Sequence, residues 1–322
     1  MSDKKIIFNT NIKHFPIKES WLKKFKELNA DYVGNVCFTD DDVIKYGKDA
    51  DIIEEVLHTP ITRKVFENLP KLKAIVKHGI GYENIDMEAA RDFKVSVSNT
   101  PGFCADEVSS SCIMLLLAFS RNLCYWNKWI REGNWKPGKP PYEGLDTIKD
   151  KNIGIIGFGN MGRAIYKKLA PFDCNILIYD PYVKFDEKEF QVKRLELKEL
   201  IKKAQYIILI CPCNKETYHL LDEEEFKIMR KDAVVVNIGR GPLVNEKVLI
   251  KYLQDKKIAG AALDVFEEEP ISPDNPLLKL ENVILTPHQA GTSPVMASKL
   301  EKMVFDELVR LICGMSPIYV CY

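Results

Sequence analysis

A short buried strand that runs straight into Gly157-Phe-Gly159-Asn-Met-Gly162 and then into a helix constrains this chain more than any other feature. Ile153-Gly-Ile-Ile supplies the apolar strand, and Arg163-Ala-Ile-Tyr-Lys-Lys-Leu supplies the amphipathic helix. A glycine triplet alone recurs in many loops, but between a strand and a helix each glycine has a task. Gly157 permits the tight turn, Gly159 lets backbone approach a pyrophosphate, and Gly162 lets helix and strand pack closely. The amides of Asn160 and Met161 then face phosphate oxygens at the positive end of the helix. The next strand, Asn175-Ile-Leu-Ile-Tyr-Asp180, ends in a carboxylate eighteen positions after Gly162. A carboxylate there accepts hydrogen bonds from ribose hydroxyls and repels a 2′-phosphate, and no Lys or Arg follows until Lys184. The pattern predicts NAD rather than NADP.

The strand–helix alternation extends along the whole chain. Lys5–Phe8, Ile52–Leu57, Lys73–Val76 and Val95–Val97 read as strands, with helical spacing over Glu19–Leu28 and Thr62–Leu69. A single long helix is expected from Ala105 to Glu132, followed by a Gly- and Pro-rich loop over residues 131–141. Six further strands follow: Ile153–Ile156, Asn175–Tyr179, Tyr206–Ile210, Ala233–Asn237, Gly260–Leu263 and Val283–Leu285. Six strands with crossover helices complete a dinucleotide-binding domain. The fold class expected is α/β, with two Rossmann-like domains of doubly wound parallel sheet. The tail from Val295 to Gly314 is amphipathic and helical, and its periodicity suits either domain.

Composition narrows the function classes. At 322 residues there is room for two domains, and 46 basic residues balance 46 acidic ones. Neutral charge removes the electrostatic footprint of a non-specific nucleic-acid binder. The start of the chain has too few consecutive apolar residues for a signal peptide, and the longest apolar run, Ile113–Phe119, is too short for a membrane span. Nine scattered cysteines suggest reduced thiols and a cytoplasmic location, and Cys211-Pro-Cys213 lacks the second ligand pair of a metal site.

Three later segments hold polar groups at the C-terminal ends of strands, where open parallel sheets bind ligands. They are Asn237-Ile-Gly-Arg240-Gly, Asp264-Val-Phe-Glu-Glu-Glu269-Pro and Thr286-Pro-His288-Gln-Ala-Gly291. With Gly79-Ile80-Gly81-Tyr-Glu-Asn-Ile-Asp86, Asn99-Thr-Pro-Gly and the glycine fingerprint, they resemble the D-isomer-specific 2-hydroxyacid dehydrogenases. That family includes lactate, glycerate and phosphoglycerate enzymes, formate dehydrogenase relatives and the C-terminal-binding-protein corepressors. The resemblance spans nearly the whole chain.

It implies a site residue by residue. Arg240 binds the substrate carboxylate and 2-oxygen through its fork of donors. His288 shuttles the proton, and Glu269 holds that histidine and raises its pKa. Glu267 and Glu268 are read as solvated neighbours, and amides around Gly79, Ile80 and Gly81 take the carboxylate. Asp264 orients the nicotinamide carboxamide, Cys211, Ile238, Arg240 and His288 line the cofactor, and Gly291 closes the far wall. The implied partners are a small 2-keto or 2-hydroxy acid and a second copy of the chain, without nucleic acid, membrane or metal. The implied domains are 1–101 with 292–322 for substrate and 102–291 for cofactor.

The other histidines, His14, His58, His78 and His219, are expected to be structural and to lack such partners, with His78 of interest because it adjoins the carboxylate loop. Substrate identity is left open. Lys77 stands where phosphoglycerate enzymes carry an arginine, whereas the stretch 54–59 lacks their second one. Phe103, Tyr82 and Trp135 suit either a substrate pocket or packing at the domain boundary. The alternatives to a simple keto-acid reductase are a phosphoglycerate dehydrogenase and an NAD-sensing, corepressor-like interaction protein.

Overall fold

The computed structural model describes residues 4–135 and 144–321. Residues 136–141 of the Gly- and Pro-rich loop lie outside them. The chain divides into two compact units, Met1–Phe103 with Pro294–Tyr322 and Cys104–Ser293, so the first is discontinuous in sequence.

The first unit is built on five parallel strands: β1 (Lys5–Asn9), β2 (Ala30–Gly34), β3 (Ile52–Glu55), β4 (Ala74–Lys77) and β5 (Ser96–Ser98). Their order is β2-β1-β3-β4-β5, the doubly wound pattern with its switch between β1 and β3. Successive side chains of a strand face opposite sides, and two cores result. Phe8, Ile53, Ile75 and Val97 bury against Val43 of α2 (Asp40–Tyr46), Val65 and Phe66 of α3 (Arg63–Asn68), and Ala89 and Ala90 of α4 (Met87–Asp92). Ile7, Ile52, Ala74 and Val76 bury on the other side against Phe25 of α1 (Glu19–Glu27). The closing helix, Pro294–Ile312, completes that second core with Leu300, Val304, Leu308 and Ile312, one apolar stripe at four-residue spacing. Each buried side chain of this kind contributes about 1.5–3 kcal/mol, which settles the tail in the first unit.

Sequence periodicity missed β2, α2 and α4. β2 reads Ala-Asp-Tyr-Val-Gly, a half-exposed edge strand without an apolar run. α2 did carry a signal: Thr39 and Asp42 form a capping box ahead of Val43.

The second unit opens with α5 (Ala105–Ser120) and α6 (Leu123–Arg131). One long helix was expected here, and the structure corrects this: the two helices meet at a 62° bend. Asn122 takes a left-handed φ of 50°, which ends the first helix. Burial differs as well. α5 buries Val108, Cys112, Leu115 and Leu116, whereas α6 buries nothing and leaves Leu123, Tyr125 and Ile130 exposed.

Seven parallel strands follow: β6 (Asn152–Ile156), β7 (Asn175–Tyr179), β8 (Lys193–Arg194), β9 (Tyr206–Leu209), β10 (Val234–Asn237), β11 (Gly260–Leu263) and β12 (Val283–Leu285). Six were expected; the extra one, β8, is a two-residue edge strand with no apolar signal. The order is β12-β11-β10-β9-β6-β7-β8, switching direction between β6 and β9. The intervening helices are α7 (Asn160–Leu169), α8 (Glu187–Phe190), α9 (Leu197–Lys203), α10 (Glu223–Ile228) and α11 (Glu246–Gln254). Gly154 in β6 lets α9 close on the sheet, since a Cβ there would lie 2.4 Å from Leu200. Both units are thus Rossmann-like.

Candidate active site

The glycine loop leaves β6 at the switch point. Gly157 has a φ of 103°, and Gly162 sits so close beneath it that a Cβ would lie 2.1 Å from the Gly157 carbonyl oxygen. Among the described residues, chain neighbours aside, no atom lies within 4 Å of the place a Gly159 Cβ would occupy, so this backbone is open to a ligand. α7 begins at Asn160, with Met161 next in its first turn, directly after Gly159 as its N-cap. A pyrophosphate fits this cradle by charge and by space.

Asp180 directly follows β7 and is buried. Its Oδ2 accepts from the Phe158 N–H at 2.7 Å, and its Oδ1 accepts from Tyr182 and Val183 N–H at 3.0 and 2.9 Å. These bonds fix the carboxylate beside the glycine loop. Sequence spacing did not show the cations around it. The Arg194 guanidinium donates to the Asp180 carbonyl, and Arg163 donates to the Lys184 carbonyl at 3.2 Å. Both guanidiniums also lie over aromatic rings, Phe158 for Arg163 and Phe185 for Arg194. Cys211 packs against Gly157, and burial pushes its thiol up to about 12, so a neutral group stands beside the glycine loop. Ile238 is buried just past the end of β10.

The polar groups after β10, β11 and β12 come together in this unit. Arg240 is half-buried; its Nη1 donates to the Gly239 carbonyl at 2.8 Å, and the Asn237 amide holds the Arg240 carbonyl at 2.8 Å. Asp264 is buried: its Oδ1 accepts from Thr286 Oγ1 at 2.6 Å and Gln289 N–H at 3.0 Å, and its Oδ2 from Ala290 N–H at 2.9 Å. Asp264 therefore shapes the histidine loop itself. Gly291 ends that loop with its Cβ position 3.2 Å from Cys104 Sγ.

His288 sits at a left-handed φ of 50°, its N–H bound to the Asp264 carbonyl at 2.8 Å. Its ring Nδ1 meets Glu269 Oε2 at 2.6 Å, and the other Glu269 oxygen accepts from the Phe266 N–H at 3.0 Å. The hydrogen bond to Glu269 is the main cause that raises the His288 pKa; burial and Arg240 oppose it. Burial works to raise Glu269, but the bonds from His288 and Phe266 outweigh it and hold the carboxyl below its ordinary value. An imidazolium with its Nδ1 side fixed by a carboxylate offers Nε2 as a proton donor. Glu269→Gln is expected to move the pH limb set by His288 to lower pH, because the amide supports the imidazolium less. A pH profile of kcat/KM for reduction reads this directly, and an unmoved limb counts against the pairing.

In the first unit Gly79 has a φ of 144°, and Thr100 Oγ1 accepts from its N–H at 3.1 Å. Asn99 holds the Ile80 carbonyl at 2.8 Å, while the amides of Ile80 and Gly81 donate to no acceptor among the described residues. Two histidine expectations need correction. His78 does have a carboxylate partner: its Nδ1 is 3.0 Å from Glu54 Oε1, in a buried chain that continues from Glu54 to Tyr32 and Asn9. His219 has one too, Glu267, at 2.5 Å, so Glu267 is not merely solvated. Sequence distance hid both pairs. Lys77 is also buried and paired, with Glu55 at 2.5 Å. Trp135 is exposed.

The model of the D-isomer specific 2-hydroxyacid dehydrogenase family, NAD binding domain, matches residues 113–290. The chain is 38% identical over 277 residues to a glyoxylate reductase of Korarchaeum cryptofilum, covering 85% of this chain and 83% of that one. A D-3-phosphoglycerate dehydrogenase of Methanocaldococcus jannaschii is 34% identical over 94% of this chain and 59% of its own length. Among solved structures, a glyoxylate reductase from Paecilomyes thermophila superposes with a TM-score of 0.88 at 25% identity, covering all of this chain and 99% of that one. The chain belongs to the D-isomer specific 2-hydroxyacid dehydrogenase family. It is an NAD-dependent oxidoreductase of 2-keto and 2-hydroxy acids.

Proposed function

We propose that this chain reduces a small unphosphorylated 2-keto acid, with glyoxylate as the first candidate, to its 2-hydroxy acid with NADH. The observation that carries the reading is the Glu269–His288 pair at 2.6 Å, in the same unit as Arg240 and the glycine cradle. The 38% identity to a glyoxylate reductase supports the substrate. We assign the cofactor, with Arg240, Glu269 and His288, to the unit Cys104–Ser293; in the first unit the Ile80 and Gly81 amides, which donate to no acceptor among the described residues, suit a carboxylate.

NADH supplies the hydride when bound. Gly157, Gly159, Asn160, Met161 and Gly162 hold its pyrophosphate, Asp180 its ribose, and Cys211, Ile238, Asp264 and Gly291 the rest of its pocket. Arg240 takes the carboxylate and the 2-oxygen of the keto acid with its two-pronged donor face and stabilises the charge that develops on that oxygen. His288, held by Glu269, gives its Nε2 proton to the oxygen and takes one back in the reverse direction. Two further readings belong to this proposal. The nine cysteines are all free, which suits the cytoplasm. α6, with nothing buried and Leu123, Tyr125 and Ile130 exposed, suits a homodimer contact.

The test is a panel of glyoxylate, hydroxypyruvate, pyruvate and phosphohydroxypyruvate, each with NADH and NADPH. Glyoxylate with NADH is expected to give the highest kcat/KM. A clear preference for phosphohydroxypyruvate would instead favour a phosphoglycerate dehydrogenase, and no turnover of any acid would favour an NAD-sensing interaction protein. Asp180→Ala is expected to weaken NADH binding by about tenfold, since two ribose hydroxyls lose a charged acceptor. Fluorescence titration with NADH checks this, and unchanged affinity would remove Asp180 from the cofactor site.

A further inference from the structure

A further histidine–carboxylate pair joins the loops that carry Arg240 and Glu269. Those two loops are in backbone contact, since a Cβ on Gly241 would lie 1.7 Å from the Phe266 carbonyl oxygen. His219, at the end of the segment that follows β9, reaches both. Its N–H donates to the Pro242 carbonyl at 2.7 Å, and its ring Nε2 meets Glu267 Oε1 at 2.5 Å. Pro242 is two residues past Arg240, and Glu267 is two residues before Glu269. The strap is reinforced from both sides. Leu221 N–H binds the Leu243 carbonyl at 3.0 Å, and Glu246 and Glu267 exchange side-chain and backbone bonds at 3.3 and 3.2 Å. His219 itself holds a left-handed φ of 52°, a conformation a non-glycine residue keeps only where its surroundings enforce it, and its ring stacks on Tyr218 at 4.1 Å.

We propose that His219, through Glu267, is a positioning residue that sets the placement of Arg240 relative to the Glu269–His288 pair. The inference rests on the roles assigned above to Arg240, Glu269 and His288. His219 touches the two loops at Pro242 and Glu267 and acts through them. Reactions of this kind are sensitive to placement, and a shift of about 1 Å costs up to about a hundredfold in rate.

The full-length protein is assayed with NADH and glyoxylate for kcat, KM, NADH affinity and the pH profile of kcat/KM. His219→Ala is expected to lower kcat by about tenfold to a hundredfold, with NADH affinity unchanged. The same variant moves the pH limb of His288, which faces Glu269, Arg240 and Asp264, to lower pH as Glu269 drifts. His219→Gln keeps a donor at the Nε2 position and restores most of the activity, and the double variant with Glu267→Ala is no worse than either single one. Wild-type kcat and pH limb in His219→Ala overturn the inference. So does a loss matched by equal loss of NADH affinity without recovery by glutamine. Should the alanine variant fail to fold, His219→Gln against the shorter His219→Asn decides, and equal activity overturns the inference. His288→Ala is the control. If it keeps wild-type turnover, the reading underneath falls and takes this one with it; if it is inactive while His219→Ala is unimpaired, only the role of His219 falls.

Discussion

Replacing His288 by alanine is expected to leave NADH bound as tightly as in the wild type and to lower turnover by about 10²–10⁴-fold. The reasoning is local. His288 lies on the loop after β12, which the Asp264 carboxylate holds by three hydrogen bonds, two of them from the backbone amides of Gln289 and Ala290. Removing the imidazole leaves those bonds in place, so the loop keeps its course and Gly291 its contact with Cys104. The proton donor is lost, together with the cation that Glu269 supports. Fluorescence titration and steady-state rates on one preparation separate the two quantities. Equal losses in both would mean that His288 holds the cofactor and not the proton.

Arg240→Lys is expected to lower kcat/KM for the keto acid by about 10²–10³-fold, nearly as far as removing an oxyanion donor does. Lysine keeps the charge but loses the planar fork that contacts a carboxylate and a neighbouring oxygen together. In this protein the guanidinium is also anchored, with Nη1 on the Gly239 carbonyl, so its remaining donors point in a fixed direction. A lysine ammonium at the end of a flexible stem has no such anchor. KM is expected to rise and kcat to fall, because the contact forms in the bound state and strengthens as charge develops on the oxygen. A variant with near-wild-type kcat/KM would show that Arg240 acts as a point charge or stands outside the reacting centre.

The fingerprint around Gly157 and all strands of the second unit but β8 were legible because each is a local pattern, apolar residues bounded by glycine or by an acid. The Arg240, Glu269 and His288 segments were legible through resemblance to a family, and the structure brings Glu269 and His288 into contact. Other features were not local. Asn122 breaks the expected long helix by a backbone angle that no periodicity records. His78 and His219 find carboxylates 24 and 48 residues away, pairings fixed by the order of the strands in each sheet and not by spacing along the chain. Lys77 stood out in sequence as a basic position before a glycine loop, yet its charge is spent on buried Glu55. The closing helix showed its apolar stripe but not its destination, because any sheet face of the right width accepts such a stripe.

The chemistry assigned to His288 is tested most directly by following kcat/KM against pH in both directions, keto-acid reduction with NADH and D-hydroxy-acid oxidation with NAD. One imidazole serving both directions requires oxidation to rise with pH and reduction to fall, the latter through a pKa above the ordinary histidine value of 6.5 because Glu269 stabilises the cation. Two profiles that move in the same direction would contradict the assignment of His288 as the proton donor.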